Sequence, residues 1–308
     1  MAAPLTGSRS RAAGLSIASN TALILLKLVA GAVTGSVAIV TEAIHSAVDL
    51  VASFIAYFSV RQAEEPADAS HRYGHEKFEN MAAAAEGVLI LIGSGVIVYA
   101  AVRSLVVGPD LHALGFGIVV LAFSTAVNVV VSSWLYRRAA ATQSAALEGD
   151  AAHLRTDAYT SLGVLVGLAL VHWTGAEWLD PVVALAIAAA IVVTGLRIVA
   201  RAWAVLVDEA LPDEEVTAIR EAIEAFGGRG IVGYHQVRTR RAGARRYVDL
   251  HLQFRSGTSL EEAHGTAHAL QDEIGRRLPG GADVLIHLEP ADKVRPGGEL
   301  GARSGAAG

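Results

Sequence analysis

Six long apolar segments between about residues 13 and 204 constrain this chain more than any other feature of its sequence. Each approaches or exceeds the ~20 residues that an α-helix needs to cross the hydrocarbon core of a bilayer. The predicted spans are about 13–33, 36–60, 80–105, 113–136, 147–172 and 180–200. Hydrophobic residues make up 53% of the 308 residues and charged residues only 18%, so we predict a membrane protein with an all-α, six-helix transmembrane domain.

The composition also excludes several classes of function. Lys and Arg number 25 against 30 Asp and Glu, so the chain lacks the basic excess that a nucleic-acid partner would require. With no cysteine, it has no disulfide, no thiolate metal site and no cysteine nucleophile. Imidazole and carboxylate groups are the strong metal ligands that remain, which directs attention to the 11 histidines.

Basic residues in the short connections predict the orientation in the membrane, because cytoplasmic connections carry an excess of Lys and Arg. Such residues follow spans two and four: Arg61, Arg72, Lys77, Arg137 and Arg138. The opposite connections, at 31–35, 104–112 and 173–179, contain neither residue type. We therefore expect a multi-pass protein of the cell (inner) membrane, in contact with the lipid bilayer, whose two termini are cytoplasmic.

Near Asp208 the long apolar runs end and charges become frequent, which predicts a separate soluble domain. Asp213 is expected to cap a helix that ends at about Phe226, and a second helix is expected over about 259–278. Strands are predicted at about 231–240, 245–254 and 283–288, the first two joined by a turn at 241–243. The order indicates a small α+β domain. The predicted divisions are a tail at 1–12, the spans at 13–208, this domain at 209–291 and a disordered tail at 292–308.

Two identical residue pairs lie inside the predicted spans. His45 and Asp49 lie in span two, and His153 and Asp157 lie in span five. A spacing of four places both side chains of a pair on one helix face, and an ionisable group inside a membrane indicates function. Two imidazoles and two carboxylates on facing helices would suit tetrahedral Zn²⁺. The alternative is a set of unrelated hydrogen bonds between helices.

A second candidate metal site lies in the loop after span two. Asp68, His71 and His75 could chelate a metal with water in the fourth position, although a solvated polar loop would look the same. His75-Glu76 also begins like the His-Glu-x-x-His motif of metalloproteases. That interpretation fails, because Glu79 stands where the second histidine is needed.

A third candidate site lies in the soluble domain. Its residues occur on predicted strands and on the second helix: His235, His251, His264, His287 and Glu289. His287 and Glu289 are two residues apart and therefore point to one face of their strand. Ordinary surface histidines are the alternative, and His268 could substitute for His264. His112 and His172 have no evident partners.

Several short motifs, which include the two pairs, follow one another along the chain. They are Asn20, Lys27, Gly31, Gly35 and Ser36, then His45-Ser46 and Asp49, then Tyr73-Gly74-His75 with Lys77 and Glu79, then His153 with Thr156 and Asp157. Over about residues 10–290 the chain resembles the cation diffusion facilitator family, of the bacterial ferrous-iron and zinc efflux type. The resemblance implies a six-span, homodimeric metal/proton antiporter with a metallochaperone-like, ferredoxin-like αββαβ cytoplasmic domain at 209–291.

The same resemblance implies roles for individual residues. It makes His45, Asp49, His153 and Asp157 the transport site, where histidine at the first position goes with a preference for zinc. It favours a metal at the loop site, and a two-metal regulatory site in the cytoplasmic domain, where Glu289 replaces a more usual Asp. Lys77 and Asp208 match an interlocking salt bridge near the dimer axis, although each could be a solvated charge.

These observations predict a secondary transporter rather than an enzyme. Metal binding needs neutral imidazole and ionised carboxylate, so protons and metal exclude each other, and histidine titrates near pH ~6.5. We expect proton-coupled efflux of Zn²⁺ by alternating access, with Zn²⁺ both transported and regulatory and with no organic cofactor. The alternatives are a membrane-anchored metal sensor or storage protein, and efflux mainly of Fe²⁺, Mn²⁺, Co²⁺ or Ni²⁺.

Overall fold

The computed structural model describes residues 8–34, 37–107, 116–176 and 178–291. The chain divides into two compact units, with the boundary between Trp203 and Ala204. The first is here named the helical unit and the second the C-terminal unit. The predicted tail at 292–308 lies outside the described residues, and the predicted tail at 1–12 overlaps the first helix, which begins at Ser8.

Long helices form the helical unit, one for each predicted span. They are α1 (Ser8–Thr34), α2 (Val37–Ala63), α3 (Lys77–Val107), α4 (Phe116–Thr142), α5 (Ala145–Thr174) and α6 (Leu179–Leu206). Most extend past the apolar runs into polar turns, because a helix can continue beyond the length that the bilayer requires. By length and composition, Lys77–Val106 and Pro181–Leu206 qualify as membrane spans within the described residues.

Small residues bring the helices of this unit close together. Helix α5 packs against α4, α3 and α2, while α1 packs against α2 and α4. One core cluster combines buried alanines with a few larger side chains: Ala12, Ala13, Ala82, Ala139, Ala146 and Ala151 with Val60, Leu135, Leu147 and Leu154. Such small residues allow close backbone approach, which is typical of packed membrane helices. This packing places α5 at the centre of the unit.

The C-terminal unit has the predicted αββαβ order. Its elements are α7 (Asp213–Ala225), β1 (Ile231–Ala242), β2 (Arg245–Phe254), α8 (Leu260–Arg277) and β3 (Ala282–Pro290). The sheet order is β1-β2-β3, with β1 antiparallel and β3 parallel to β2. Apolar residues of both helices pack with those of the sheet, so the core lies between the helices and one face of the sheet.

The ends of the elements explain two differences from the sequence analysis. Asp213 was predicted to cap α7, and that prediction is wrong: Pro212 holds the cap position and makes no side-chain cap bond. Asp213 instead lies in the first turn with other acidic residues, where it interacts favourably with the helix dipole. The hairpin turn consists of Gly243 and Ala244, since Ala242 already pairs with Arg245, so β1 is longer than predicted.

Candidate metal sites and a buried polar network

One predicted pair of transport ligands is described in full. His153 and Asp157 lie one turn apart on the unbroken helix α5, with His153 Nε2 at 3.9 Å from Asp157 Oδ2. His153 is only 8% exposed, so this pair lies within the packed helices. His45 and Asp49 belong to α2, but their side chains lie outside the described residues. The four-residue transport site therefore remains a prediction.

A buried hydrogen-bond network joins α2 to α5 beside these residues. Ser53 of α2 donates a hydrogen bond from Oγ to Oδ1 of Asp150 on α5, over 3.0 Å. Asn20 of α1 donates from Nδ2 to Ser53 Oγ over 2.7 Å, and the hydroxyl of Ser16 lies 3.1 Å from that of Ser53. Ser16 is also a hydrogen-bond partner of Asp150. The network connects three helices at one level, one turn from His153.

A second buried carboxyl group faces this network from α3. Glu86 is fully buried and packs against the backbone of α5 at Gly149, where an added Cβ atom would collide with Glu86 Oε2. Within the described residues, neither carboxyl oxygen of Glu86 has a hydrogen-bond partner, and neither does Oδ2 of Asp150. The glycine thus allows the acidic side chain to reach α5.

Asp150 and Glu86 were not among the residues predicted to form a site. A signal was available for both, because each is an ionisable residue within a predicted span and such residues are costly unless they are used. Asp150 also lies three residues before His153, which places it on the same face of α5. Their approach to each other depends on how α3 and α5 cross, which the sequence does not reveal.

The loop before α3 brings the three predicted ligands together. Asp68, His71 and His75 each offer a ligand atom, and these atoms lie within 4.8 Å of one another. Asp68 Oδ2 is 3.4 Å from His75 Nε2, and Asp68 Oδ1 is 3.6 Å from His71 Nδ1. His75 is buried, whereas the other two are exposed. The cluster has the donor atoms for a divalent cation, and exposed members give that cation access from solvent.

Local hydrogen bonds prepare Asp68 as an anionic ligand. Its Oδ1 accepts bonds from the backbone N–H groups of His71, at 2.6 Å, and Ser70, at 2.8 Å. The backbone bond from His71, with the bond from the Ser70 hydroxyl second, lowers the pKa of Asp68 to about 2. The carboxylate is therefore ionised at any physiological pH, while Oδ2 faces His75.

The sheet of the C-terminal unit assembles the third cluster. His235, His251 and Glu289 offer ligand atoms within 4.8 Å of one another. Glu289 bridges the two histidines, with Oε2 at 2.8 Å from His235 Nε2 and Oε1 at 2.8 Å from His251 Nδ1. These bonds, the one to His235 first, lower the pKa of Glu289 to about 2. Two imidazoles and an ionised carboxylate form a plausible metal-binding set.

Strand register explains this geometry. His235 pairs with His251, and His251 pairs with His287, so the three histidines form a row across the sheet. A bulge follows His235 on β1, where Gln236 has a φ of 50°. A bulge of this kind changes the direction of side chains at the end of a ladder. Alternation alone would not have predicted it.

Of the other predicted members, His287 borders this three-residue set. Its ring is tilted by 46° to that of His251, with centroids 4.6 Å apart, and its Nε2 is 4.0 Å from Glu289 Oε1. His264, on α8, instead lies beside His268, with 3.1 Å between their Nε2 atoms. Both remain predicted ligands, and His268 is now a neighbour of one of them. His112 and the side chain of His172 lie outside the described residues.

The predicted Lys77–Asp208 salt bridge would connect the two units, and it remains a prediction. Lys77 is the first residue of α3. Asp208 lies in the C-terminal unit with a φ of 60°, and Arg240 Nη1 lies 3.4 Å from its Oδ1. Asp208 therefore already has one cationic partner within its own unit.

Comparisons with known proteins cover nearly the whole chain. Residues 14–207 match a family described as the cation efflux transmembrane domain, and residues 211–291 match the cation efflux protein cytoplasmic domain. An uncharacterized transporter of Synechocystis sp. is 34% identical over 278 residues, which are 90% of this chain and 89% of that protein. The cation-efflux pump FieF of Klebsiella pneumoniae is 36% identical over 288 residues, which are 92% of this chain and 94% of the pump.

Two solved structures match the C-terminal part of the chain. The zinc form of CzrB is 35% identical and covers 29% of this chain and 99% of its own, with a TM-score of 0.27. The metal-bound C-terminal domain of the CzcD transporter from Thermotoga maritima is 25% identical and covers 28% of this chain and all of its own, with a TM-score of 0.24.

Proposed function

The chain belongs to the cation efflux family, and we propose that within this family it exports Zn²⁺ from the cytoplasm in exchange for protons. The resemblance to cation diffusion facilitators that the motifs indicated is thereby confirmed. The chain is a membrane-integral cation efflux protein with a dimer-forming cytoplasmic domain. Zinc as the main substrate, proton coupling and the identity of the transport ligands are the proposed parts.

The observation that carries the proposal is the hydrogen bond from Ser53 to Asp150. It fixes a point at which α2 and α5 meet. Asp49 and His45 precede Ser53 by one and two turns, at about 6 and 12 Å along α2, whereas His153 and Asp157 follow Asp150 at about 4.5 and 10.5 Å along α5. Short connections favour antiparallel neighbours, and antiparallel packing would bring the four ligands to similar levels.

The chemistry of these ligands suits zinc. Two imidazole nitrogens and two carboxylate oxygens form a tetrahedral set, and Zn²⁺ accepts that geometry without a preference from its d-electrons. His153 is almost entirely shielded from solvent, so a metal held there would sit inside the helical unit. The nitrogen donors disfavour Mg²⁺ and Ca²⁺, which prefer oxygen ligands.

The same ligands supply the coupling to protons. Zinc binds neutral imidazole and ionised carboxylate, so its entry displaces protons and protonation displaces zinc. Free histidine titrates near pH ~6.5, which lies within the range of a membrane pH difference. A site that opens in turn to each side of the membrane would load Zn²⁺ from the cytoplasm and exchange it for protons at the opposite face.

The loop cluster and the cytoplasmic cluster are proposed as loading or regulatory sites rather than parts of the path. Both lie outside the spans and include residues with access to solvent: Asp68 and His71 in the loop, beside the buried His75, and His235, His251 and Glu289 on the sheet. Ligands drawn from separate strands can stabilise a domain or join two copies when metal binds. This role agrees with a cytoplasmic domain that forms dimers in the family.

Transport in proteoliposomes tests the proposal. The wild type should transport Zn²⁺ when a pH difference is imposed across the membrane. A pH-sensitive dye should report proton movement in the opposite direction. Asp157→Asn should abolish this flux, and the matched control Asp272→Asn, at an exposed position on α8, should not change it. Wild-type flux in Asp157→Asn would remove the assigned site, and zinc binding without flux in the wild type would favour a sensor.

A further inference from the structure

Glu86 has no assigned role, yet its surroundings are unusual for a carboxyl group. It is 0% exposed, and neither carboxyl oxygen has a hydrogen-bond partner among the described residues. Its Oε2 is directed at the backbone of α5, where only a glycine at position 149 leaves room. A buried carboxyl group without a partner is stable when it is protonated or when a cation binds beside it.

Another buried acid on α3 shows what a paired carboxylate looks like in this protein. Glu79, two turns before Glu86, accepts a 2.9 Å hydrogen bond from Arg9 Nη1. Its Oε2, like both oxygens of Glu86, has no hydrogen-bond partner among the described residues. The guanidinium group of Arg9 thus gives Glu79 a counter-ion, and no described residue does the same for Glu86.

No side chain among the described residues forms an ion pair with Glu86. On α5, Asp150 follows Gly149, the residue that Glu86 packs against, and His153 lies three residues further along. The cations described on neighbouring helices are paired elsewhere or exposed: Arg9 of α1 pairs with Glu79, Arg201 of α6 pairs with Glu148 at 2.6 Å, and Arg61 lies exposed at the end of α2. The ionisable residue next to the point where Glu86 meets α5 is thus a second acid, Asp150.

Two adjacent buried carboxyl groups do not both ionise, because each anion raises the free energy of the other. Asp150 is the better anion, since its Oδ1 accepts hydrogen bonds from Ser53 and Ser16. Glu86 accepts none, and an isolated buried carboxylate costs several kcal/mol or more. The proton of this pair therefore resides on Glu86.

We propose that Glu86 is a proton-binding residue of the transport cycle. The inference rests on the proposed zinc/proton exchange and adds a proton site outside the four-ligand set. A dication that enters one turn beyond Asp150 favours the ionised form of Glu86. The O–H bond of Glu86 breaks and the proton is released to cytoplasmic water. After the metal has left, Glu86 takes up a proton from water at the opposite face of the membrane.

Infrared difference spectroscopy on the metal-free full chain tests the proton site without any transport. A pH step should reveal the carbonyl band of a protonated carboxyl group that Glu86→Gln lacks. Glu86→Asp, which keeps a dissociable proton, should retain a shifted band. The control Glu65→Gln, at an exposed position after α2, should retain the wild-type band. A Glu86→Gln spectrum identical to that of the wild type would overturn the proposal.

Flux measurements then test the role in coupling. Glu86→Gln should still bind zinc, but it should move fewer protons per zinc ion than the wild type and respond less steeply to the pH difference. The control Glu65→Gln should match the wild type. An unchanged proton-to-zinc ratio in Glu86→Gln would overturn the coupling role. Absence of pH-driven flux in the wild type would instead overturn the proposed function, and the infrared band alone would then decide whether Glu86 holds a proton.

Discussion

The hydroxyl group of Ser53 donates a hydrogen bond to Oδ1 of Asp150 over 3.0 Å, and this bond links α2 to α5 in the interior of the helical unit. Both residues are fully buried, so water does not compete for the bond. The link lies next to the predicted ligands of both helices. Any movement that separates α2 from α5 must break this bond. The bond therefore helps to hold the two ligand pairs close to each other.

Ser53→Ala should therefore weaken the fold and loosen the site. Loss of the donor leaves Asp150 short of a partner, and interhelical hydrogen bonds in membranes contribute about 1–2 kcal/mol at most. We expect a lower Tm for the purified protein and a weaker apparent affinity for transported zinc. Ser94→Ala is the control, because that hydroxyl donates only to Leu91 O of its own helix. Equal Tm values for the two variants would show that the Ser53 bond is not stabilising.

His45→Asp should change which metals are transported. The substitution replaces a nitrogen donor by a carboxylate oxygen and makes the ligand set harder, which favours Mn²⁺ relative to Zn²⁺ and also admits the larger Cd²⁺. Zinc transport should persist, because four ligands remain. Relative rates for the three metals in proteoliposomes measure the effect. Unchanged relative rates would show that selectivity is determined elsewhere in the chain.

The sequence predicted the helices and the αββαβ order well, because both follow from local patterns. The apolar runs located the helices, and Ser259 with Glu262 forms a reciprocal capping box at the start of α8. Asp213 failed as a cap because Pro212, whose φ of −53° suits a helix start, takes that position. Local patterns of this kind predict that a helix begins, but they do not determine which of two neighbouring residues occupies the cap position.

The sites were predictable to the extent that their residues are close in sequence. Asp68, His71 and His75 lie within one loop, and the structure brings their ligand atoms together. The contact of Glu86 with α5 at Gly149 depends on a helix crossing, and the position of His235 depends on a bulge in β1. Neither feature leaves a periodic signature, so both needed the three-dimensional structure.

The cytoplasmic cluster should contribute to stability in a pH-dependent way, even without metal. The pKa of Glu289 is about 2 in the folded state, below its ordinary value of 4.5, because His235 and His251 hydrogen-bond to the carboxylate. A lowered folded pKa means that the contribution is complete above about pH 4.5 and is lost as the pH falls toward 2.

Thermal unfolding of the C-terminal unit at several pH values measures this contribution. Glu289→Gln should lower the Tm near neutral pH and reduce its dependence on pH between about 4.5 and 2. Glu224→Gln, at an exposed position on α7, should leave the decrease of Tm at acidic pH as in the wild type. An equal decrease of Tm at acidic pH in the wild type and in Glu289→Gln would show that the bridge to the histidines does not stabilise the fold.

Combined substitution of His235, His251 and Glu289 by Ala should alter the zinc dependence of transport without abolishing transport. The three ligands lie on the sheet of a separate compact unit, so they offer no path across the membrane, but they can tie β1, β2 and β3 together when zinc binds.

Isothermal titration of the full chain should show fewer bound zinc ions, and the zinc concentration for half-maximal flux should rise. Asp272→Ala, at an exposed position on α8, is the matched control. A complete loss of flux in a correctly inserted triple variant would contradict a regulatory role, and an unchanged zinc count would reduce the cluster to a hydrogen-bonded element of the fold.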